Sequence, residues 1–334
     1  TMADDAIAIA DLAATGTASN STFLRGDNSW ASAGASALGD LSDAVTTASY
    51  NIGIGASAVD SITTGDYNIG VGDTSLTACT EGVRNVGVGY GALAALTTGD
   101  HNTAIGQWTL DALTTADFNT AVGYISMTSN TSGTYNTAIG LGSLETNTTG
   151  GWNTAIGASA LGLNTTANSN TAVGFKACFS NTTGTTNVAV GQTAMNSNTT
   201  GSSNVAVGKD AMWYNTTGGT NIAIGLSALT ANTTAHDNTV VGAEAADANT
   251  TGSQNTAIGR YALSDNTTAS NNTGVGYQAL YDNTTANNNT AVGAQSLRAN
   301  TTGASNNAFG YQALYSCTTS NNNNAFGKDA CRVV

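Results

Sequence analysis

The chain has 334 residues, of which 9% are charged and 6% aromatic, with no proline, and its 21 acidic and 8 basic side chains give a formal net charge of −13. Binding to the phosphate backbone of nucleic acids needs basic patches, so we expect no nucleic-acid partner. No apolar run approaches the roughly 20 residues of a transmembrane helix, and the start of the sequence lacks the basic region and apolar stretch of a signal peptide, so we expect no membrane partner.

Residues 1–50 precede the regular part of the sequence, and we predict that they form an N-terminal connector and cap. Within them Leu38, Leu41 and Val45 recur at the spacing of one helical face. A cap is expected because the first coil of a stacked β-structure has an open strand edge.

Residues 51–334 are a repeat with a period of 17 residues. Asparagine recurs at every seventeenth position from Asn51 to Asn323, which defines seventeen units without insertion or deletion. The last unit stops at Val334, at its twelfth position, and we expect a longer parent protein. A fixed period of this length indicates a solenoid, in which no unit folds alone.

The unit reads Asn, Thr, Ala, Ile/Val, Gly, two variable residues, Ala, Leu, two variable residues, Asn, Thr, Thr, Gly/Ala and two variable residues, and these are positions 1 to 17. Position 5 is glycine in every unit, from Gly55 to Gly327, which predicts a corner with positive φ. Position 4 is Ile, Val or Phe, which favours a short strand, and position 9 is mostly Leu or Met. We therefore predict an all-β parallel β-solenoid or β-roll of seventeen coils, stacked at about 4.8 Å into a rod about 80 Å long, with positions 4 and 9 facing inward.

Position 12 is predicted to form a ladder of asparagine side chains. It carries asparagine in eleven consecutive units but Ile, Leu, Cys or Val in the others, which indicates an inward position. Stacked amides satisfy one another along identical strands. The predicted ladder is Asn130, Asn147, Asn164, Asn181, Asn198, Asn215, Asn232, Asn249, Asn266, Asn283 and Asn300.

A coil with two apolar anchors has a thin core, so we expect self-association. The prediction is a homotrimer of parallel rods. Small residues such as Ala155 and Ala160 are expected to allow close contact between the chains.

The units of the form "NTAIG…AL…NTTG" resemble the repeat region of bacteriophage tail fibre proteins, including those that end in an intramolecular chaperone domain. The stretch "STFLRGDNSW" at residues 21–30 is similar to a segment found upstream in such fibres, and the resemblance covers about residues 17–334. The "NTAIG" core is also similar to the "NSVAIG"-type repeats of trimeric autotransporter adhesin heads, which are left-handed parallel β-rolls. Neither a chaperone domain nor an autotransporter anchor is recognised in this sequence.

The sequence offers little for catalysis, and we expect no enzymatic activity, cofactor or metal. His101 and His236 lie in distant units. Asp66, Asp100 and Asp117 share position 16 of nearby units, which indicates a solvated acidic row, with calcium binding as the alternative. The four cysteines lack a Cys-x-x-Cys pair and are interpreted as small buried hydrophobic residues.

Aromatic residues collect at the variable positions 6 and 10, where two interpretations stay open. They pack between the chains of a trimer, or they stack on the sugar rings of a receptor. The candidate receptor-binding residues are Tyr277, Tyr281, Tyr311, Tyr315, Phe175, Phe179 and Trp213.

The function expected from the resemblance is that of a structural component of a phage tail fibre, a rigid rod for host attachment. This implies an extracellular place in the virion, a host cell-surface glycan or protein as receptor, and other tail proteins as partners at the N-terminus. A bacterial trimeric adhesin head on the cell surface is the alternative. An ice-binding solenoid is a further alternative, because threonine recurs at positions 2, 13 and 14.

Overall fold

The computed structural model describes residues 22–24, 30–32 and 49–333. The strands β1 (Thr22–Leu24) and β2 (Trp30–Ser32) form an antiparallel pair. The helical stripe predicted at Leu38, Leu41 and Val45 lies outside the described residues, as does most of the predicted cap.

Residues 49–333 form a parallel β-solenoid, which confirms the predicted fold class. Each unit contributes one strand of three residues, and sixteen parallel pairings join the seventeen strands in chain order, each residue facing the residue seventeen positions later, as Thr154 faces Thr171. The strands are β3 (Ile52–Ile54), β4 (Ile69–Val71), β5 (Val86–Val88), β6 (Thr103–Ile105), β7 (Thr120–Val122), β8 (Thr137–Ile139), β9 (Thr154–Ile156), β10 (Thr171–Val173), β11 (Val188–Val190), β12 (Val205–Val207), β13 (Ile222–Ile224), β14 (Thr239–Val241), β15 (Thr256–Ile258), β16 (Thr273–Val275), β17 (Thr290–Val292), β18 (Asn307–Phe309) and β19 (Asn324–Phe326).

The strands turn position 3 inward and positions 2 and 4 outward. In β6, Ala104 is fully buried, whereas Ile105 is 41% exposed. The prediction that position 4 is an inward anchor is therefore wrong. Successive side chains of a strand alternate between its faces, and the buried asparagine at position 1 fixes position 3 on the same inner side.

The core of each coil is built from small residues and one larger side chain. In the coil that begins at Asn221, the residues Ala223, Ala228 and Leu229 are fully buried, as are the asparagines at positions 1 and 12. Position 9 is thus the inward anchor that the sequence predicted. Ala155 and Ala160 also lie inside the coil with no exposed surface, so these two residues do not provide the chain-to-chain contact expected of them.

Backbone hydrogen bonds connect each coil to both neighbours. Ile222 and Leu229 donate to carbonyls of the following coil, at 2.8 and 3.0 Å. Gly225 and Ser227 donate to carbonyls of the preceding coil, at 2.8 and 2.9 Å. These bonds satisfy the polar backbone groups that a narrow solenoid with little core would otherwise leave buried without partners.

The corners of the coil need backbone conformations with positive φ. At position 5, Gly225 has a φ of +141°, and a Cβ atom there would lie 2.5 Å from the carbonyl oxygen of Gly242 in the next coil. Positions 7, 9 and 17 are also left-handed without glycine in most coils, as in Ser227 (53°), Leu229 (54°) and Asp237 (60°). Each such residue costs about 1–2 kcal/mol in isolation, and the inter-coil hydrogen bonds and the burial of position 9 offset this cost.

Candidate functional site

The asparagines of position 12 form a continuous ladder inside the rod. Ten hydrogen bonds of 2.7–3.3 Å run from Nδ2 of one residue to Oδ1 of the asparagine one coil earlier, from Asn130 to Asn300. Each Nδ2 also donates to the carbonyl of position 15 in its own coil, as Asn215 does to Gly218 at 3.0 Å. The Oδ1 atom of Asn300 has no partner, because Cys317 occupies the next coil. Apart from this last oxygen the ladder is buried with its amides hydrogen-bonded, so its role is structural.

Position 1 forms a second buried ladder with a different pattern. The backbone N–H of Asn238 donates to Oδ1 of Asn221 at 3.0 Å, and the Nδ2 group of Asn238 donates to the same oxygen at 3.1 Å. The Nδ2 group also donates to the carbonyl of Gly252. The asparagine therefore joins the start of its strand to the preceding coil and to the corner fourteen residues later in its own coil, which explains its presence in every unit.

An aliphatic column runs along the outside of the rod at position 4. Ile54, Ile105, Ile156, Ile224 and Ile258 are each 38–41% exposed, one above another on the outer face of the strands. Phe309 and Phe326 continue the column with stacked rings, at a centroid distance of 5.0 Å. An exposed apolar surface of this length is typical of interaction sites.

The predicted tyrosines near the C-terminal end fall into two environments. Tyr277 and Tyr311, at position 6, are 47% and 46% exposed. Tyr281 and Tyr315, at position 10, are half-buried. Between these two lies the guanidinium of Arg298, at 5.2 Å from the Tyr281 ring centroid and 5.9 Å from that of Tyr315.

Two further residues join this group that the sequence did not single out. Tyr261, at position 7, makes edge contacts with the rings of Tyr277 and Tyr281, at centroid distances of 6.3 and 6.1 Å. Arg260 lies 4.5 Å from the Tyr261 ring centroid. The contacts join positions 6, 7 and 10 of successive coils through the turn after the strand, so spacing along the chain does not reveal them.

Acidic residues lie beside Tyr281 and perturb the ionisation of its hydroxyl group. Burial raises the pKa of the Tyr281 hydroxyl, and the nearby Asp265, Asp282 and Asp247 raise it further. Burial likewise raises the pKa of the Asp265 carboxyl, with Asp282 adding to the effect and Arg298 opposing it. The Arg298 guanidinium lies 3.7 Å from the Asp282 carboxylate, so part of its charge is already compensated.

The other predicted aromatic residues lie in the middle of the rod. The ammonium group of Lys176 lies 5.4 Å from the ring centroids of both Phe175 and Phe179. Trp213 stacks on Tyr214 at a centroid distance of 5.6 Å. The seven predicted residues therefore fall into three separate clusters along the rod rather than one continuous stripe.

A stack of rings at position 17 is the largest surface feature that the sequence analysis missed. The rings of His101, Phe118, Tyr135 and Trp152 follow one another at centroid distances of 5.0, 4.9 and 5.8 Å, with interplanar angles of 18°, 11° and 3°. Tyr50 and Tyr67 stack in the same way at 4.9 Å, and the Arg84 guanidinium lies 5.5 Å from the Tyr67 ring centroid. We call this column, at position 17 from Tyr50 to Trp152, the ring stack. Its members are seventeen residues apart, a spacing at which only the solenoid brings them together.

The acidic row of position 16 caps backbone groups. The carboxylates of Asp66, Asp100 and Asp117 accept hydrogen bonds from backbone N–H groups of the preceding coil, at 2.6–2.7 Å. Nowhere in the described residues do three His, Cys, Asp or Glu side chains lie close enough together to hold a metal ion. His236 accepts a similar bond from Gly219 at 3.0 Å, in the place that the aspartates take in other coils.

The threonines divide into two columns with different surroundings. The hydroxyl of Thr165 at position 13 donates to the carbonyl of Thr182 in the next coil at 3.0 Å, and this bond recurs along the rod. Thr166 at position 14 is exposed. The hydroxyl groups of position 13 are thus turned along the rod axis and engaged by the backbone.

No protein-family model and no curated protein sequence matches the chain. Across residues 22–24, 30–32 and 49–333 there is no helix with the length and apolar character needed to cross a bilayer.

Proposed function

We propose that the chain is the shaft of a bacteriophage tail fibre, a rigid rod that carries a host-binding surface. The repetitive β-solenoid, with one coil per 17-residue unit, supports this role because stacked coils extend along one axis. The resemblance of the "NTAIG…AL…NTTG" units to fibre repeats supports it from the sequence.

The observation that carries the proposal is the aliphatic column at position 4. A single chain leaves these Ile, Val and Phe side chains partly exposed along the whole solenoid. A partner that covers the column from end to end needs the same spacing of about 4.8 Å, and a second copy of the chain has it. We therefore propose a homotrimer of parallel rods, held by position 4 rather than by the alanines of positions 3 and 8.

The oligomeric state tests this arrangement directly. Native mass spectrometry of the chain, whose mass is 33.2 kDa, is expected to give a species of three times that mass. Replacing Val207 and Ile224 by lysine places charges in two adjacent coils of the column and is expected to dissociate the oligomer. The matched control replaces Thr217 and Thr234 by lysine. These threonines are exposed in the same coils at position 14, and their replacement is expected to leave the oligomer intact. A monomeric wild-type protein would exclude the trimer.

The proposed host-binding surface is the group of tyrosines near the C-terminal end. Tyr277 and Tyr311 are its most exposed members, whereas Tyr281 and Tyr315 are engaged by Arg298. Fluorescently labelled protein is expected to bind one or more strains of a bacterial panel, and Tyr277→Ala with Tyr311→Ala to weaken that binding. The control is Tyr67→Ala with Phe118→Ala, which removes two exposed rings from the ring stack.

Immunogold electron microscopy decides between a virion and a cell surface. Label on phage tails supports the fibre. Label on the surface of bacterial cells supports the adhesin head, which the "NSVAIG"-type similarity favours as the second candidate. Binding by the double tyrosine variant equal to that of wild type places the receptor-binding surface elsewhere.

A further inference from the structure

The ring stack ends abruptly at Trp152, in the middle of the rod. Tyr135 covers one face of the indole at a centroid distance of 5.8 Å and an interplanar angle of 3°. The opposite face is directed to the next coil, where position 17 is Ser169. Trp152 is 62% exposed, against 44% for Phe118 and 49% for Tyr135 inside the stack. Phe118 has rings on both faces, so Trp152 offers a flat face that Phe118 does not.

The surface below this face is polar and uncharged. From Ser169 to Thr220, position 17 carries a hydroxyl group in every unit, and the Thr186 hydroxyl lies 3.1 Å from that of Ser203. Asn168 accepts a hydrogen bond from the backbone N–H of Gly151 at 2.7 Å. This bond is accepted by its Oδ1, and the Nδ2 group of the same amide is a hydrogen-bond donor. Asn168 and Ser169 are both exposed.

The Trp152 face and the polar groups around Ser169 together indicate which class of ligand can bind there. An aromatic face attracts the aliphatic C–H surface of a ring, while hydroxyl and amide groups at its base bind hydroxyl groups. No ionisable side chain occurs at positions 16, 17 or 2 of the three coils around the step, which are residues 151, 152, 154, 168, 169, 171, 185, 186 and 188. A sugar acid or phosphate would find no cation there, whereas a neutral sugar ring needs none.

We infer that the step between Trp152 and Ser169 is a binding site for a neutral pyranose ring of a glycan. The inference rests on the proposed role in host attachment, to which it adds a second surface and a ligand class. The indole stacks on one face of the sugar, and Asn168 with Ser169 binds its hydroxyl groups. The site lies seven coils from Tyr261 and ten from Tyr311, the two ends of the tyrosine group, so the two surfaces act separately.

The first test uses the fluorescence of Trp152 alone. The full chain carrying Trp30→Phe, Trp108→Phe and Trp213→Phe retains a single tryptophan. Maltohexaose, cellohexaose and mannohexaose serve as probes. At least one is expected to protect Trp152 saturably against quenching by acrylamide. No protection by any of the three overturns the inference.

The second test compares variants by calorimetric titration of the probe that binds. Trp152→Ala is expected to weaken binding about tenfold or more, as the loss of ring stacking does elsewhere, and Trp152→Phe is expected to retain most of it. Phe118→Ala is the matched control, because it removes a ring of the same stack that has no free face. Equal binding by Trp152→Ala and wild type overturns the site.

These results are separable from the proposed function. Attachment to cells that persists without any hexasaccharide binding contradicts this inference and leaves the fibre role standing. Hexasaccharide binding at Trp152 by a protein that attaches to no cell supports the site and contradicts the attachment role.

Discussion

The Nδ2 group of Asn215 donates a 2.8 Å hydrogen bond to Oδ1 of Asn198, seventeen residues earlier in the chain and one coil away in space. Its own Oδ1 accepts a 2.7 Å bond from Asn232 in the following coil. The amide therefore donates a hydrogen bond to the asparagine of the preceding coil and accepts one from the asparagine of the following coil. No other side chain of this size carries a donor and an acceptor in a fixed relative direction.

Asn215→Asp is expected to destabilise the rod. The new carboxylate still accepts the hydrogen bond from Asn232, but it has no N–H group to donate to the oxygens of Asn198 and Gly218. An unsatisfied buried polar group costs about 1–3 kcal/mol, so we expect a lower melting temperature by circular dichroism. Asn271→Asp, at an exposed position 17, adds the same charge and is expected to have little effect.

The loss in Asn215→Asp is also expected to depend on pH. Burial among oxygens raises the folded-state pKa of the new carboxyl above its unfolded value, which favours the protonated form in the folded rod. The deficit relative to wild type should therefore be smallest below the unfolded pKa of about 4 and grow as pH rises through the folded pKa. A deficit that is constant from pH 4 to pH 8 would contradict burial of the ladder.

Leu229→Ala and Ile224→Ala separate the inner from the outer anchor of one coil. Leu229 is fully buried, and its truncation is expected to cost about 2–5 kcal/mol. Ile224 is 39% exposed in the single chain, so its truncation should cost clearly less in urea unfolding of protein made monomeric by lysine at Val173 and Val190, which lie elsewhere in the column. Equal losses of unfolding free energy for the two variants in monomeric protein would show that position 4 belongs to the core.

Gly225→Ala tests the corner of the coil. The φ of +141° is strained for any side chain, and the added methyl group would lie 2.5 Å from the Gly242 carbonyl oxygen, so we expect a severe loss of thermal stability. Gly274→Ala is the control at position 3, where both adjacent coils carry alanine and the added methyl group would lie no closer than 3.2 Å to any other atom. A mild effect at Gly225 comparable with that at Gly274 would refute the requirement for glycine.

The cysteines report on the packing of position 9 and position 12. Burial raises the pKa of the Cys178 thiol to about 12 and that of Cys79 to about 11, whereas Cys331 is exposed. A thiol-specific reagent at pH 8 is expected to label Cys331 quickly and the buried cysteines only after unfolding. Rapid labelling that persists in Cys331→Ser would show that the interior is open.

A raised thiol pKa also predicts an alkaline loss of stability. The folded-state pKa of the Cys178 thiol lies above its unfolded value. The protonated thiol therefore stabilises the folded state fully below about pH 9, and this stabilisation is lost as pH rises toward 12. Between these limits wild type should lose stability with rising pH relative to Cys178→Ala, because only the unfolded chain releases the thiol proton. Parallel pH profiles for the two proteins would contradict this.

The architecture could be predicted from the sequence because the same residues recur at the same positions of every unit. Seventeen copies of Asn at position 1 and Gly at position 5 leave no choice of period, and a position that accepts Leu113 in one unit and Asn130 in the next has to face inward. The direction of position 4 was not decided by its composition, since β-branched residues favour strands on either face. The burial of Asn221 settles it, because alternation then places Ile224 outside.

The surface clusters were harder to predict than the coil. The paired tyrosines of positions 6 and 10 were visible as a pattern, but their partners Tyr261 and Arg298 depend on side-chain directions in a turn with left-handed residues. The ring stack ends between Trp152 and Ser169, a contrast between two units that a consensus of the repeat hides.

The hydrogen bonds that join Ile222 to the following coil and Gly225 to the preceding one lie along the length of the rod, and this decides how the rod yields to force. A force on the end of the chain acts first on the hydrogen bonds of the terminal coil, and it acts on those of the next coil only after these have broken. Each coil that peels off lengthens the chain by seventeen extended residues, about 55–60 Å, while the rod shortens by about 4.8 Å. The remaining coils keep their pairing, so a tethered rod of this kind absorbs a sudden load in equal steps and loses its length gradually instead of breaking at once.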